Sequence, residues 1–397
     1  MDRASEDQDR IAQSREGLGS QVGHTGQPPR PAWIEVDLGR HRRNLRLIRA
    51  ELGTGAGWLA AVKADAYGHG AVPIARQALE EGANRLGVAT LAEAATLRDA
   101  GIHAPILLLG ERHPDELPYI VEYRLEASLG ELNTALLLDR LAQAAGVVVP
   151  VHLKINTGMN RFGAGWESAA DLGSRMTRLP GLKVSGVMSH FAMSDEADKS
   201  FALEQLLRFR RALADLAAVG VKPELNHLCN SGGFLDLPEA HFNLVRLGIL
   251  PLGVYPSAVC RRIDGIEPVL SVKARIVAVS RLGTGDTYGY GLRYRAPGPR
   301  RVGVLPLGYA DGYPRLRDEG EVLVHGRRIP IIGGVAMDAL GIDLTSVPEA
   351  GLGEEAVLLG KQDSEEITAR EIARWKNSVA YDILSGWRSR LPRLYLP

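Results

Sequence analysis

The chain has 397 residues, 45% of them apolar and 24% charged, which suits a folded globular protein with a sizeable core. Its 47 Lys and Arg balance 47 Asp and Glu, so no net field draws it to nucleic acid or to an anionic membrane. Apolar runs such as 105–110 and 146–151 are too short to span a bilayer, and two cysteines, Cys229 and Cys260, imply neither a disulfide framework nor a zinc cluster.

Residues 1–30 are rich in Gln, Ser, Gly, Asp and Arg, and a disordered tail is expected there because they bury too little to offset ordering. They have no apolar stretch of the signal-peptide kind, so a cytoplasmic location is expected. From Trp33 the pattern becomes regular. Alternation predicts a strand at 34–38, and a basic amphipathic helix follows at 39–52 with Leu45, Ile48 and Leu52 on one stripe. Apolar strand-like runs then recur at 58–62, 85–89, 105–109, 125–129, 149–155, 184–190, 224–229 and 244–247. Helical stretches such as 71–81, 91–100 and 201–219 separate them. Repeated strand–helix units predict an α/β protein built on a parallel (β/α)8 TIM-like barrel over 31–265. Past Pro268 the register changes. Short strands with Gly and Pro punctuation are predicted at 269–279, 301–307, 321–324, 328–332, 340–344 and 356–360, with a helix at 368–376. This reads as a mainly β C-terminal domain over 266–397.

Polar residues follow the barrel strands: Lys63, Lys154, Arg161, His190, Asn230 and Arg246. Barrel enzymes place their chemistry at those strand ends. The first segment reads Ala61-Val62-Lys63-Ala64-Asp65-Ala66-Tyr67-Gly68-His69-Gly70. A lysine at a dry strand end loses ammonium stability, and its amine becomes a nucleophile able to condense with an aldehyde. Tyr67 and the glycines after it suit a phosphate.

This segment resembles the lysine signature of the alanine racemase family, and the motif order from about Trp33 to Tyr395 is similar to that family throughout. The resemblance implies pyridoxal 5'-phosphate (PLP) on Lys63, a homodimer with shared active sites, and a small amino-acid substrate. It implies further roles residue by residue. Arg246, in Val245-Arg246-Leu247-Gly248-Ile249, would donate to the cofactor ring nitrogen without protonating it. The N–H groups of Gly248 and Ile249, with Asn230, Ser231 and Tyr381, would hold the phosphate end. Arg161 would bond the cofactor phenolate and the substrate carboxylate, and Lys154 matches a lysine carbamylated in many relatives. His190 and His227 would join Arg246 and Tyr290 in one hydrogen-bonded chain. Tyr290 would be the second base, acting from the partner subunit on the face opposite Lys63. Tyr288 is a competing candidate. Met337 and Asp338 would meet substrate, while Tyr309 and Arg315 would shape the corridor. Alanine is the expected substrate, with D-alanine for peptidoglycan its expected use. Serine or broad-range racemisation, or a non-racemising PLP-binding barrel, remain alternatives.

Overall fold

A computed structural model describes residues 30–397, so the expected tail lies, Arg30 apart, outside the described residues. The chain divides into two units, one spanning 37–269 and the other combining 30–36 with 270–396.

The first unit is a parallel barrel. Its strands, in chain order, are Gly57–Ala61, Arg85–Val88, Ile106–Leu108, Glu126–Leu129, Val149–Asn156, Leu182–Met188, Leu225–His227 and Leu244–Leu247. Each pairs in parallel with the next as far as the seventh, and the eighth pairs with the first through Leu244↔Gly57 to Leu247↔Ala60. A backbone hydrogen bond from Arg246 N–H to Cys229 O, 3.1 Å long, bridges the seventh and eighth. The strands are apolar because both of their faces are covered, one by helices and one by the barrel interior. Leu59, Leu107, Met188 and Leu244 meet in one interior cluster.

The helices start where caps allow. Asp37 accepts from Arg40 N–H at 2.7 Å to open Leu38–Leu52, whose Leu45 and Ile48 are buried. Thr90 and Glu93 form a capping box at the head of Leu91–Asp99. Ser200–Ala218 turns Leu206, Phe209 and Leu216 inward.

The second unit is built on an antiparallel sheet. The strands run, in spatial order, Ala278–Leu282, Arg300–Leu305, Leu340–Asp343, Arg327–Ile332, Glu321–Val324, Glu355–Gln362, Leu270–Arg275, Ala32–Asp37 and Arg393–Leu396. Two expectations need correction. The strand expected at 34–38 falls within the barrel domain expected over 31–265, yet Ala32–Asp37 pairs with Leu270–Arg275 in the second unit, from Ala32↔Ala274 to Val36↔Leu270. A strand leading straight into a helix reads alike whichever sheet takes it. The stretch 269–279, expected as one strand, is two. At Ile276 and Val277 the chain changes partners, donating first to Glu354 O and then to Val304 O.

Candidate active site

Lys63 leaves the first barrel strand through Val62 and enters an unusual turn. Ala64, Asp65, Ala66 and Tyr67 all have left-handed φ, between 50° and 55°. Each such residue costs about 1–2 kcal/mol relative to right-handed backbone. Carboxylates hold the turn. Glu93 accepts from Ala64 N–H through one oxygen at 2.7 Å and from Ala89 N–H through the other at 2.7 Å. Asp65 accepts from Ala71 N–H at 2.7 Å. The turn swings the Tyr67 ring against the end of the eighth strand, where a Cβ on Gly248 would stand 2.4 Å from the phenol oxygen. Gly248 is therefore required by contact, and the buried phenol is pushed well above its usual pKa, by burial first and then by Glu93.

The barrel mouth gathers cations. Lys63 has its amine pKa lowered by burial, then by Arg161 and Arg246, with Glu93 opposing. Lys154 is almost wholly buried and is held down to about 7 by burial, then by Arg246 and Arg161, against Glu111. Lys154, Arg161 and His190 line one cleft with Asn156, Thr157 and Met159. Buried Lys154 and Arg246, with half-buried Lys63 and exposed Arg161, favour a ligand carrying phosphate or carboxylate.

Arg246 anchors the centre. It is 5% exposed, and burial lowers its pKa to about 10, leaving it cationic at neutral pH. No carboxylate pairs with it among the described residues. Nη1 donates to His227 Nδ1 at 2.9 Å and to His227 O at 3.0 Å. Nη2 donates to His190 Nδ1 at 2.9 Å, to Ser189 O at 2.7 Å and to Leu228 O at 3.1 Å. Both imidazoles must then be neutral acceptors at Nδ1, because a guanidinium only donates. Burial and then Arg246 lower both histidines' pKa. Among the described residues Nε of Arg246 has no hydrogen-bond partner, so it is the donor left for a ligand.

Asn230 and Ser231 follow the seventh strand. Asn230 Oδ1 is engaged as the cap of Ser231–Asp236, accepting from Gly233 N–H at 2.9 Å and from Ser194 Oγ at 2.7 Å. Ser231 Oγ lies 3.5 Å from the N–H of Leu250, so it stands next to the segment of Gly248 and Ile249.

Six expected site residues belong to the second unit: Tyr290, Tyr309, Arg315, Met337, Asp338 and Tyr381. Tyr290 is 83% exposed and Met337 is 54% exposed. Tyr290 lies between Gly289 and Gly291, whose φ values of 76° and 75° suit glycine. Tyr288, its competitor, is wedged inward: a Cβ on Gly341 would meet its ring 2.3 Å away. Tyr309 and Met337 are brought together by Tyr309 N–H donating to Ala336 O at 3.0 Å and Ala310 N–H donating to Met337 O at 2.8 Å. Arg315 and Asp338 are exposed, and Tyr381 is half-buried on the helix Ala380–Gly386.

Sequence reasoning missed Glu93 and Asp65, which hold the turn after Lys63. The spacing Thr90-x-x-Glu93 is a signal for a capping box, but carries none for a second duty at Ala64. It also missed Gln205, which donates to Thr157 Oγ1 at 3.1 Å and to His190 O at 3.0 Å and so ties the histidine loop down.

Family models for the alanine racemase N-terminal domain and the alanine racemase C-terminal domain match residues 36–256 and 269–395. The chain belongs to the alanine racemase family. It is therefore a racemase, an enzyme of the isomerase class. An alanine racemase of Nostoc sp. is 40% identical over 367 residues, covering 91% of this chain and 95% of that protein. The crystal structure of alanine racemase from D-cycloserine-producing Streptomyces lavendulae superposes with a TM-score of 0.89 at 36% identity, covering 94% of this chain and 98% of that one. A histidine racemase from Leuconostoc mesenteroides superposes with a TM-score of 0.85 at 29% identity, covering 94% and 99%. The fold thus serves more than one amino acid. Among the described residues no helix is long and apolar enough to cross a membrane.

Proposed function

We propose that this racemase interconverts L- and D-alanine using PLP held at the barrel mouth, and that it works as a cytoplasmic homodimer supplying D-alanine for peptidoglycan. The observation that carries the reading is the pairing of Lys63, an amine with lowered pKa, with Arg246, a buried cation backed by neutral imidazoles instead of a carboxylate. The residues present fit the cofactor. Lys63 is the amine for its aldehyde, and Nε of Arg246 is a donor for its ring nitrogen. Tyr67, Ser231, Tyr381 and the N–H groups of Gly248 and Ile249 suit its phosphate, and Arg161 suits its phenolate.

When bound, the cofactor supplies the electron withdrawal that weakens the α-C–H bond. The chain's own residues do the rest. Arg246 donates a hydrogen bond without surrendering a proton, which limits that withdrawal and favours return of the proton to the α-carbon. Arg161 binds the substrate carboxylate, and Met337 and Asp338 border the substrate. The Lys63 amine holds or releases a proton on one face of the α-carbon. The Tyr290 phenol does so on the other face, reaching in from the partner subunit, and its exposure supports that role. The amine of Lys154, about half uncharged near pH 7, combines with carbon dioxide to give a carbamate and a proton. That anion would hold Arg161 in place.

A non-racemising binding role is disfavoured by the second unit, which carries Tyr290. A different substrate is favoured only by the fold shared with the histidine racemase. Chiral chromatography of the purified protein with PLP and, separately, L-alanine, L-serine and L-histidine decides among them. Fastest approach to an equal mixture from L-alanine supports the reading; a faster rival replaces the substrate, and no racemisation with any of them refutes it.

A further inference from the structure

The polar core below Arg246 does not end at His227. His227 Nε2 lies 2.7 Å from His152 Nδ1, with the rings edge to face. His152 Nε2 in turn stands 3.3 Å from Glu126 Oε2, close but bent away from a good hydrogen-bond line. Glu126 is clamped by Arg85 Nε at 3.0 Å. These residues come from four strands: Arg85 from the second, Glu126 from the fourth, His152 from the fifth and His227 from the seventh. His152, His227 and Glu126 are buried.

Two backbone features make room for the imidazole pair. The pairing of the fifth and sixth strands slips between Val151 and His152, and such bulges re-aim a side chain. Opposite His152 is Gly186, where a Cβ would stand 2.4 Å from His152 Nδ1. A barrel interior is normally filled by branched apolar side chains, so a glycine and a bulge serving two histidines mark a built feature.

The proton positions follow from one end. Arg246 only donates, so His227 Nδ1 carries no proton and Nε2 does. That proton points at His152 Nδ1, which must accept, so His152 is protonated at Nε2. Its Nε2–H faces the Glu126 carboxylate, an acceptor only. One order of donors leaves no two N–H groups opposed: Arg246 to His227 to His152, whose remaining N–H is turned towards Glu126 at 3.3 Å without a good hydrogen-bond line. Reversing any single imidazole would set two N–H groups against each other in a dry interior.

We infer that His152 and Glu126 are positioning residues that fix His227 in the tautomer accepting from Arg246. They act on the cofactor site through two neutral imidazoles and touch neither substrate nor cofactor. The inference rests on the proposed role of Arg246 only for its effect on racemisation; the proton order itself does not depend on it.

The test is long-range nitrogen–proton NMR of the holoenzyme with 15N-labelled histidine at pH 8, needing no variant. His152 and His227 should each show one neutral tautomer protonated at Nε2. A proton on Nδ1 of either, or a doubly protonated ring, overturns the relay whatever the substrate proves to be. Variants then read the coupling. Glu126→Leu should lower kcat about tenfold at little-changed KM and mix the His152 tautomers, as loss of orienting partners does at metal sites. Glu126→Gln keeps an acceptor oxygen and should restore most of the rate and the single tautomer. Equal rates in all three proteins, or equal losses in both variants, would make Glu126 merely structural.

Discussion

The two units present their functional side chains in opposite ways. In the barrel unit, Arg246, His227 and Lys154 are buried, His227 is bonded to Arg246, and Arg246 alone makes five hydrogen bonds at 2.7–3.1 Å. In the β unit, Tyr290 and Met337 stand exposed at 83% and 54%. The contrast separates two tasks. A cofactor needs a fixed, dry electrostatic cradle whose groups are oriented before it arrives. A base that meets one face of a small substrate can be offered from a surface and completed by docking. The barrel should therefore control cofactor binding and spectrum, and the β unit the stereochemical course.

The largest effect that could break this contrast is at Lys63. Lys63→Ala should lower racemisation by at least about 10^4-fold, the upper range for a positioned acid or base. It should also remove the visible absorbance of the bound cofactor. A variant that keeps that band would move the attachment elsewhere. Next is Tyr290→Phe, expected to cost about 10^2–10^4-fold in kcat with the cofactor spectrum unchanged. Tyr288→Phe keeps the ring that packs on Gly341 and should leave the rate nearly unchanged. If Tyr288→Phe proves the more damaging to rate, the assignment is reversed.

Lys154 gives a pH-dependent test. Its ammonium pKa is 10.5 in a free chain and about 7 when folded. Between those values the folded state binds fewer protons than the unfolded one, so stability rises with pH. In buffer free of carbon dioxide, the wild-type unfolding free energy should climb relative to Lys154→Met from pH 7 towards 10.5. The slope is at most about 1.4 kcal/mol per pH unit. Parallel curves would mean the amine is solvated. The smallest effect expected is at Gly248→Ala, where the added methyl meets the Tyr67 ring at about 1–3 kcal/mol of overpacking. Calorimetry should find the lower Tm, and an unchanged Tm would mean that Tyr67 moves freely.

Much of this was legible before any coordinates. Eight apolar runs at near-regular spacing predicted the barrel, because parallel strands buried on both faces leave continuous apolar segments. The residues after those runs named Lys63, Arg161, His190 and Arg246. Other features were invisible for physical reasons. Four consecutive left-handed residues at 64–67 include two alanines, and nothing in Ala or Asp requires that conformation; Glu93, distant in sequence, imposes it. The partner of Ala32–Asp37 lies more than two hundred residues away, so no local pattern could assign its sheet. His152 and Lys154 alternate on one strand face, a signal that both point inward. The bulge and Gly186 that let His152 reach His227 appear only in three dimensions. The resemblance favours Tyr290 over its competitor Tyr288, but that Tyr288 packs on Gly341 while Tyr290 stands exposed is visible only in three dimensions.

The central claim is that protons leave and return on opposite faces by different residues. Exchange of the α-hydrogen in deuterium oxide, followed by proton NMR for Tyr290→Phe with L-alanine and D-alanine separately, tests it most directly. The two-base account predicts that exchange is lost from one enantiomer while exchange from the other persists through Lys63. Equal, wild-type exchange from both enantiomers would contradict it.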